Sequence, residues 1–117
     1  MTMESLNSNK LNSFFQQLED IKQTYSELSS SCLHKDSIMQ WTEYKREYEK
    51  IGGTINSETF RQIQSELIEE VIYSILEMLD GYKNLGFDID IVDKQTGESI
   101  INGLQLHDKY RDFINEE

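Results

Sequence analysis

The chain has 117 residues with 22 acidic and 11 basic side chains, a formal charge of −11, one cysteine and no proline. That length suits a single domain spanning residues 1–117, able to bury on the order of 65% of its unfolded surface. One cysteine, Cys32, rules out an internal disulfide and points to a reducing, cytoplasmic setting. The shortage of bases disfavours nucleic acid and anionic membranes as partners, because both reward basic patches.

The charge is uneven: residues 54–117 carry 14 acids against 5 bases, a net of −9, while residues 1–53 carry a net of −2. A basic protein partner is the class this asymmetry favours. The start MTMESLNSNKLNSFF has no basic run followed by a continuous apolar run, so no signal peptide is expected. Leu67 to Leu79, the longest mostly apolar stretch, is too short and acidic to span a bilayer.

From Asn7 to Ser29, Leu11, Phe14, Leu18, Ile21, Tyr25 and Leu28 recur at helical spacing and predict the seam of a first helix. Asn7 is placed to cap it, with Leu6 and Leu11 as a hydrophobic staple. The run SSSC at 29–32 reads as a loop. A second helix is expected from Asp36 or Ser37 to the Gly52-Gly53 pair, with Ile38, Trp41, Tyr44, Tyr48 and Ile51 buried.

The third helix is the clearest. Asn56 stands at its cap, Ile55 and Phe60 at the staple positions, and Glu58 in the first turn, where the helix dipole favours an anion. Phe60, Ile63, Leu67, Ile68, Val71, Ile72, Ile75, Leu76 and Leu79 sweep an arc of roughly 220°. A helix that apolar is expected to be central and covered on several sides, ending at Gly81 or Gly86. Beyond Gly86 the period changes to two, with Phe87, Ile89 and Ile91 alternating with Asp88 and Asp90 as in a half-buried strand. Asp93 to Gly97 has turn composition, and a short return strand near Ser99 to Asn102 would close a β-hairpin with Ile91 opposite Ile100 or Ile101. A last short helix is expected from about Asp108, itself the cap, with Tyr110, Phe113 and Ile114 inward. The fold expected is therefore α+β: a three-helix N-terminal bundle with a central apolar third helix, then a β-hairpin and a short C-terminal helix.

Catalytic patterns are scarce. DIDIVDKQTGESI fails as a calcium loop, because an EF-hand needs an oxygen ligand at position 5 and glycine at 6, where counting from Asp88 gives Val92 and Asp93. Asp88, Asp90, Asp93 and Glu98 leave only a weak divalent or enzymatic site as an alternative. His107-Asp108 matches the dipeptide of metal-dependent phosphohydrolases, but only His34 could supply a further histidine. Cys32 and His34 do not make a dyad by proximity alone, and Gly52-Gly53-Thr54 lacks the phosphate-loop lysine. No cofactor and no enzymatic activity are expected. The more suggestive feature is a strip on the third helix, Glu66, Glu69, Glu70, Tyr73, Glu77 and Asp80, with no base between Arg61 and Lys83. Like charges at helical spacing repel by a few tenths of a kcal/mol, so the strip, joined by Asp88 and Asp90, is the candidate surface for a basic partner, with Tyr73 as an anchor.

The segment EMLDGYKNLGFDIDIVDKQTGESIINGLQLHDKYRDFI, residues 77–114, resembles the C-terminal part of small uncharacterised proteins from Gram-positive bacteria. There a helix ending in Asp-Gly-Tyr leads to a hairpin with Thr-Gly-Glu and then to Leu-His-Asp. Some of those acidic proteins are read as immunity partners of polymorphic toxins. The resemblance covers about a third of the chain and carries no catalytic motif, and it implies toxin neutralisation as one function. Two further expectations stand beside it: the hairpin edges allow a homodimer, and the aromatic second helix would suit an obligate subunit of an assembly.

Overall fold

A computed structural model describes residues 3–36 and 42–116, with side chains from Asn9 onward. Four helices occur among the described residues: α1 (Met3–Ser31), α2 (Lys45–Gly52), α3 (Ser57–Leu79) and α4 (Leu106–Asn115). No strand is present among them, so the chain is helical and the α+β expectation is overturned. The contacts gather into two compact units, residues 1–19 with 71–117, and residues 20–70; α1 and α3 contribute to both.

Residues 20–70 bury Cys32, Leu33 and Phe60 together with two serines, Ser26 and Ser29. Ser26 can be buried because its hydroxyl donates to the carbonyl of Gln23, one turn back. Ser30 and Ser31 do the same to Glu27 and Leu28. The serine run thus prolongs α1 to Ser31 instead of forming the expected loop. α1 also begins at Met3, before the expected cap Asn7, and its buried row passes through Leu11, Phe15, Ser26 and Ser29. Ile21 and Tyr25, placed in the expected seam, are exposed. The proposed Leu6 staple lies outside the described side chains.

α2 is shorter than expected. Residues 42–44 are not helical, the helix has no buried residue, and Tyr44 and Ile51 are exposed. Ile38 and Trp41 lie outside the described residues. Tyr48 makes an edge-on contact with Phe60, ring centres 6.2 Å apart, and its hydroxyl lies 3.4 Å from that of Ser29. Gly52 lets α2 end against the chain at Leu33: a Cβ there would stand 2.4 Å from the Leu33 carbonyl oxygen.

α3 starts where the sequence places it. Asn56 Oδ1 accepts the amides of Glu58 (2.8 Å) and Thr59 (3.3 Å), and Phe60 is buried. It stops in a Schellman arrangement: Gly81 takes φ +94, its amide reaches Met78 O, and the Tyr82 amide reaches Glu77 O. The expected cover on several sides is absent. Phe60, Ile72 and Leu76 are buried, but Ile63, Leu67, Val71 and Ile75 are exposed.

Residues 71–117 with α1 up to Glu19 bury Leu11, Phe15, Ile72, Leu76, Ile100, Ile101, Leu106 and Tyr110. Phe15 packs against Tyr110 and Phe113 at 5.6 and 5.7 Å between ring centres. The expected β-hairpin reduces to one antiparallel bridge, Val92 to Ser99, beside the Ile100 amide donating to Ile91 O. The turn itself forms, since Asp93 Oδ1 accepts the amides of Gln95 and Thr96. The arms do not extend, for two reasons. Asp90 turns its carboxylate onto the Ile91 amide and the Ser99 hydroxyl, and the chain leaves the pairing line at once through Asn102 (φ 50) and Gly103 (φ 77). Consecutive burial of Ile100 and Ile101, with Phe87 exposed, is the opposite of strand alternation. α4 begins at Leu106, so Asp108 lies in its first turn and is not the cap.

Candidate functional site

The acidic strip divides into spent and available groups. Asp80 is spent. Its side chain is 1% accessible, with Oδ1 accepting the Leu106 amide at 2.8 Å and Oδ2 the His107 amide at 2.9 Å. Oδ2 also lies 2.5 Å from His107 Nδ1. A carboxylate from the end of α3 therefore caps α4 across 26 residues of chain, the role expected of Asp108. A carboxylate can only accept, so Nδ1 carries a proton and Nε2 faces the exposed Asp108, 3.5 Å from its Oδ1. The imidazole also makes T-shaped contacts with Tyr73 and Tyr82, 5.4 and 4.9 Å away between ring centres.

Tyr73 is thus a wall of the histidine site, with its ring also under Arg111 at 4.2 Å. Glu69 pairs with Lys22 at 2.8 Å. Asp90 is exposed but bonded to Ser99 and the Ile91 amide, and Asp88 is exposed. Among the described residues no ion pair involves Glu66, Glu70 or Glu77. Glu66 and Glu70 are exposed and Glu77 half-buried. The eight residues expected to form one docking surface are therefore distributed among a buried cap (Asp80), an aromatic wall (Tyr73), an ion pair (Glu69), the segment before the 93–98 turn (Asp88 and Asp90) and a smaller strip on α3 (Glu66, Glu70 and Glu77).

The carboxylates of the 93–98 turn already hold a cation of their own. Lys10 Nζ lies 2.9 Å from Asp93 Oδ2 and 3.3 Å from Glu98 Oε2. The Lys10 hydrogen bond, helped by the Gln95 amide, holds the Asp93 carboxyl below its ordinary range, and the same bond raises the Lys10 ammonium. Among the described residues no group of three or more His, Cys, Asp or Glu is placed to hold a metal ion.

The sequence reading missed the exposed row on α3. Ile63, Leu67, Val71 and Ile75 are 51, 58, 51 and 47% exposed, at a spacing of four. Glu66 and Glu70 each follow a row member by three residues, so they border the row on the helix surface. Full burial of such side chains is worth about 1.5–3 kcal/mol each, so half-exposed they leave on the order of 3–6 kcal/mol unused in folding. The missed signal lay in the neighbours: an apolar arc that wide needs apolar faces on several partners, and α2 buries none.

Fold and site together define a small acidic helical protein in which α3 carries an exposed, acid-bordered apolar row. Comparison of the chain with protein-family models, with curated proteins and with solved structures yields no match. Among the described residues no helix is long and apolar enough to cross a membrane.

Proposed function

We propose that this chain is a cytoplasmic, non-enzymatic binding domain that masks a basic protein partner, in the manner of an immunity protein neutralising a toxin. The carrying observation is that Glu66, Glu70 and Glu77 sit on one side of α3 with no ion pair among the described residues, in a half of the chain with a net charge of −9. Charge of one sign concentrated on one face speeds encounter with the opposite sign and rejects like-charged competitors. The immunity-type role is what the resemblance of residues 77–114 adds. A role for the turn carboxylates in cation binding or catalysis is the weaker reading, because Lys10 already bridges Asp93 and Glu98.

The test titrates the full chain with a lysine oligomer of roughly 20 residues, long enough to follow a helix the length of α3. The variant Glu66→Lys/Glu70→Lys/Glu77→Lys should lose binding. A control with the same net change, Glu43→Lys/Glu47→Lys/Glu49→Lys, should keep most of it. Equal loss in both would reduce the effect to net charge and refute the reading.

A further inference from the structure

The geometry points to an amphipathic basic helix as the partner segment, laid along α3 with its apolar side on Ile63, Leu67, Val71 and Ile75. The inference rests on the basic-partner reading and names the shape and chemistry of what binds. A row at i, i+4, i+8 and i+12 is one of the ridges by which helices interdigitate, and an amphipathic helix can lay its apolar face against such a surface. Four large aliphatic side chains, each about half exposed on one helix, exceed the scattered apolar residues normal for a protein surface.

Charge selects the occupant. Glu66 and Glu70 border the row and Glu77 follows, none of them in an ion pair among the described residues, while Lys22 and Arg111 are engaged at Glu69 and Tyr73. A second copy of α3 packed antiparallel on the row would set the same carboxylates against these, and like charges juxtaposed across an interface are unfavourable. A helix with an apolar stripe flanked by lysine or arginine satisfies both the row and its border. Anionic lipid would meet the same repulsion as a second copy.

The probe is a helical lysine–leucine peptide with leucines segregated to one face, compared with a scramble of identical composition and with the leucine-free lysine oligomer. Fluorescence titration of the full chain should show 1:1 binding of the segregated peptide, at least about tenfold tighter than either control. Ile63→Ser/Leu67→Ser and Val71→Ser/Ile75→Ser should each weaken it by about tenfold or more, with melting lowered only by the buried half of the two side chains and a cooperative transition retained. Because these side chains are exposed, the variants should fold, and melting curves verify that. If segregated and scrambled peptides bind alike, or the oligomer binds as tightly, the apolar row is not used and the inference falls while the charge-based reading stands. If no lysine peptide binds, that reading falls as well. A dimer in sedimentation velocity that Ile63→Ser/Leu67→Ser dissociates would assign the row to a second copy and overturn the inference.

Discussion

Replacing Asp80 by alanine tests the non-local cap that joins the end of α3 to the start of α4. The carboxylate accepts the Leu106 and His107 amides and the His107 ring in a site where it is 1% accessible. Losing a helix cap costs about 0.5–2 kcal/mol, and each buried donor left without an acceptor costs about 1–3 kcal/mol. Two backbone donors and one ring donor are orphaned, with some relief from water entering the vacated space. With water entering, each of the three donors is counted at the low end of that range and the cap not counted again, which gives about 3–4 kcal/mol, a large share of the ~5–15 kcal/mol that holds a domain together. With a urea slope of about 2 kcal/mol per molar, the unfolding midpoint should fall by about 1.5–2 M. Asp80→Asn keeps one acceptor oxygen and should lose about half as much. Amide exchange at Leu106 and His107 should accelerate in both variants. An alanine variant within about 1 kcal/mol of the parent, or an asparagine variant no better than alanine, would refute the assignment.

Three further outcomes follow from local geometry. Asn56→Ala removes the acceptor of the Glu58 and Thr59 amides and should cost about 1 kcal/mol by denaturant unfolding; no change would deny the cap its role. Gly52→Ala would ordinarily stabilise a helix by up to about 1 kcal/mol, but its Cβ would meet the Leu33 carbonyl oxygen at 2.4 Å. The melting temperature should therefore drop, and a rise would contradict the close approach. The Lys10–Asp93 pair sets the pH response of the 93–98 turn. Asp93 is lowered from 3.8, so its contribution is complete above that value and lost as pH falls through the lowered one. Lys10 is raised from 10.5, so its contribution is complete below that value and lost as pH rises through the raised one. The Gln95 and Thr96 amide resonances should hold steady between about pH 5 and 9, and loosening near neutrality would contradict the pairing.

What the sequence disclosed is what short-range chemistry decides. The Asn56 cap, the Phe60 burial and the stop of α3, narrowed to Gly81 or Gly86, were legible because each depends on residues within one or two turns. The Asp93 turn was legible for the same reason. The strand pairing was not, since alternation at Phe87, Ile89 and Ile91 carries no information about Asp90 bonding to Ser99 or Asn102 bending the chain away. α1 was misread because serines with satisfied hydroxyls can take buried places that an apolar count assigns to Ile21 and Tyr25. The site shows the same division. The carboxylates of α3 were visible as a strip, but pairing with Lys22 and His107 withdrew Glu69 and Asp80 from it. The apolar row beside the strip was hidden by the assumption that an apolar helix must be covered.

The most direct test of the docking face is residue-level mapping. Amide correlation spectra of the full chain, recorded as the segregated lysine–leucine peptide is added, should shift first at Ile63, Glu66, Leu67, Glu70, Val71 and Ile75, with Leu106 to Tyr110 unmoved. Shifts centred on Asp88, Asp90 and Asp108, or spread evenly over both units, would contradict the claim that α3 presents the binding surface.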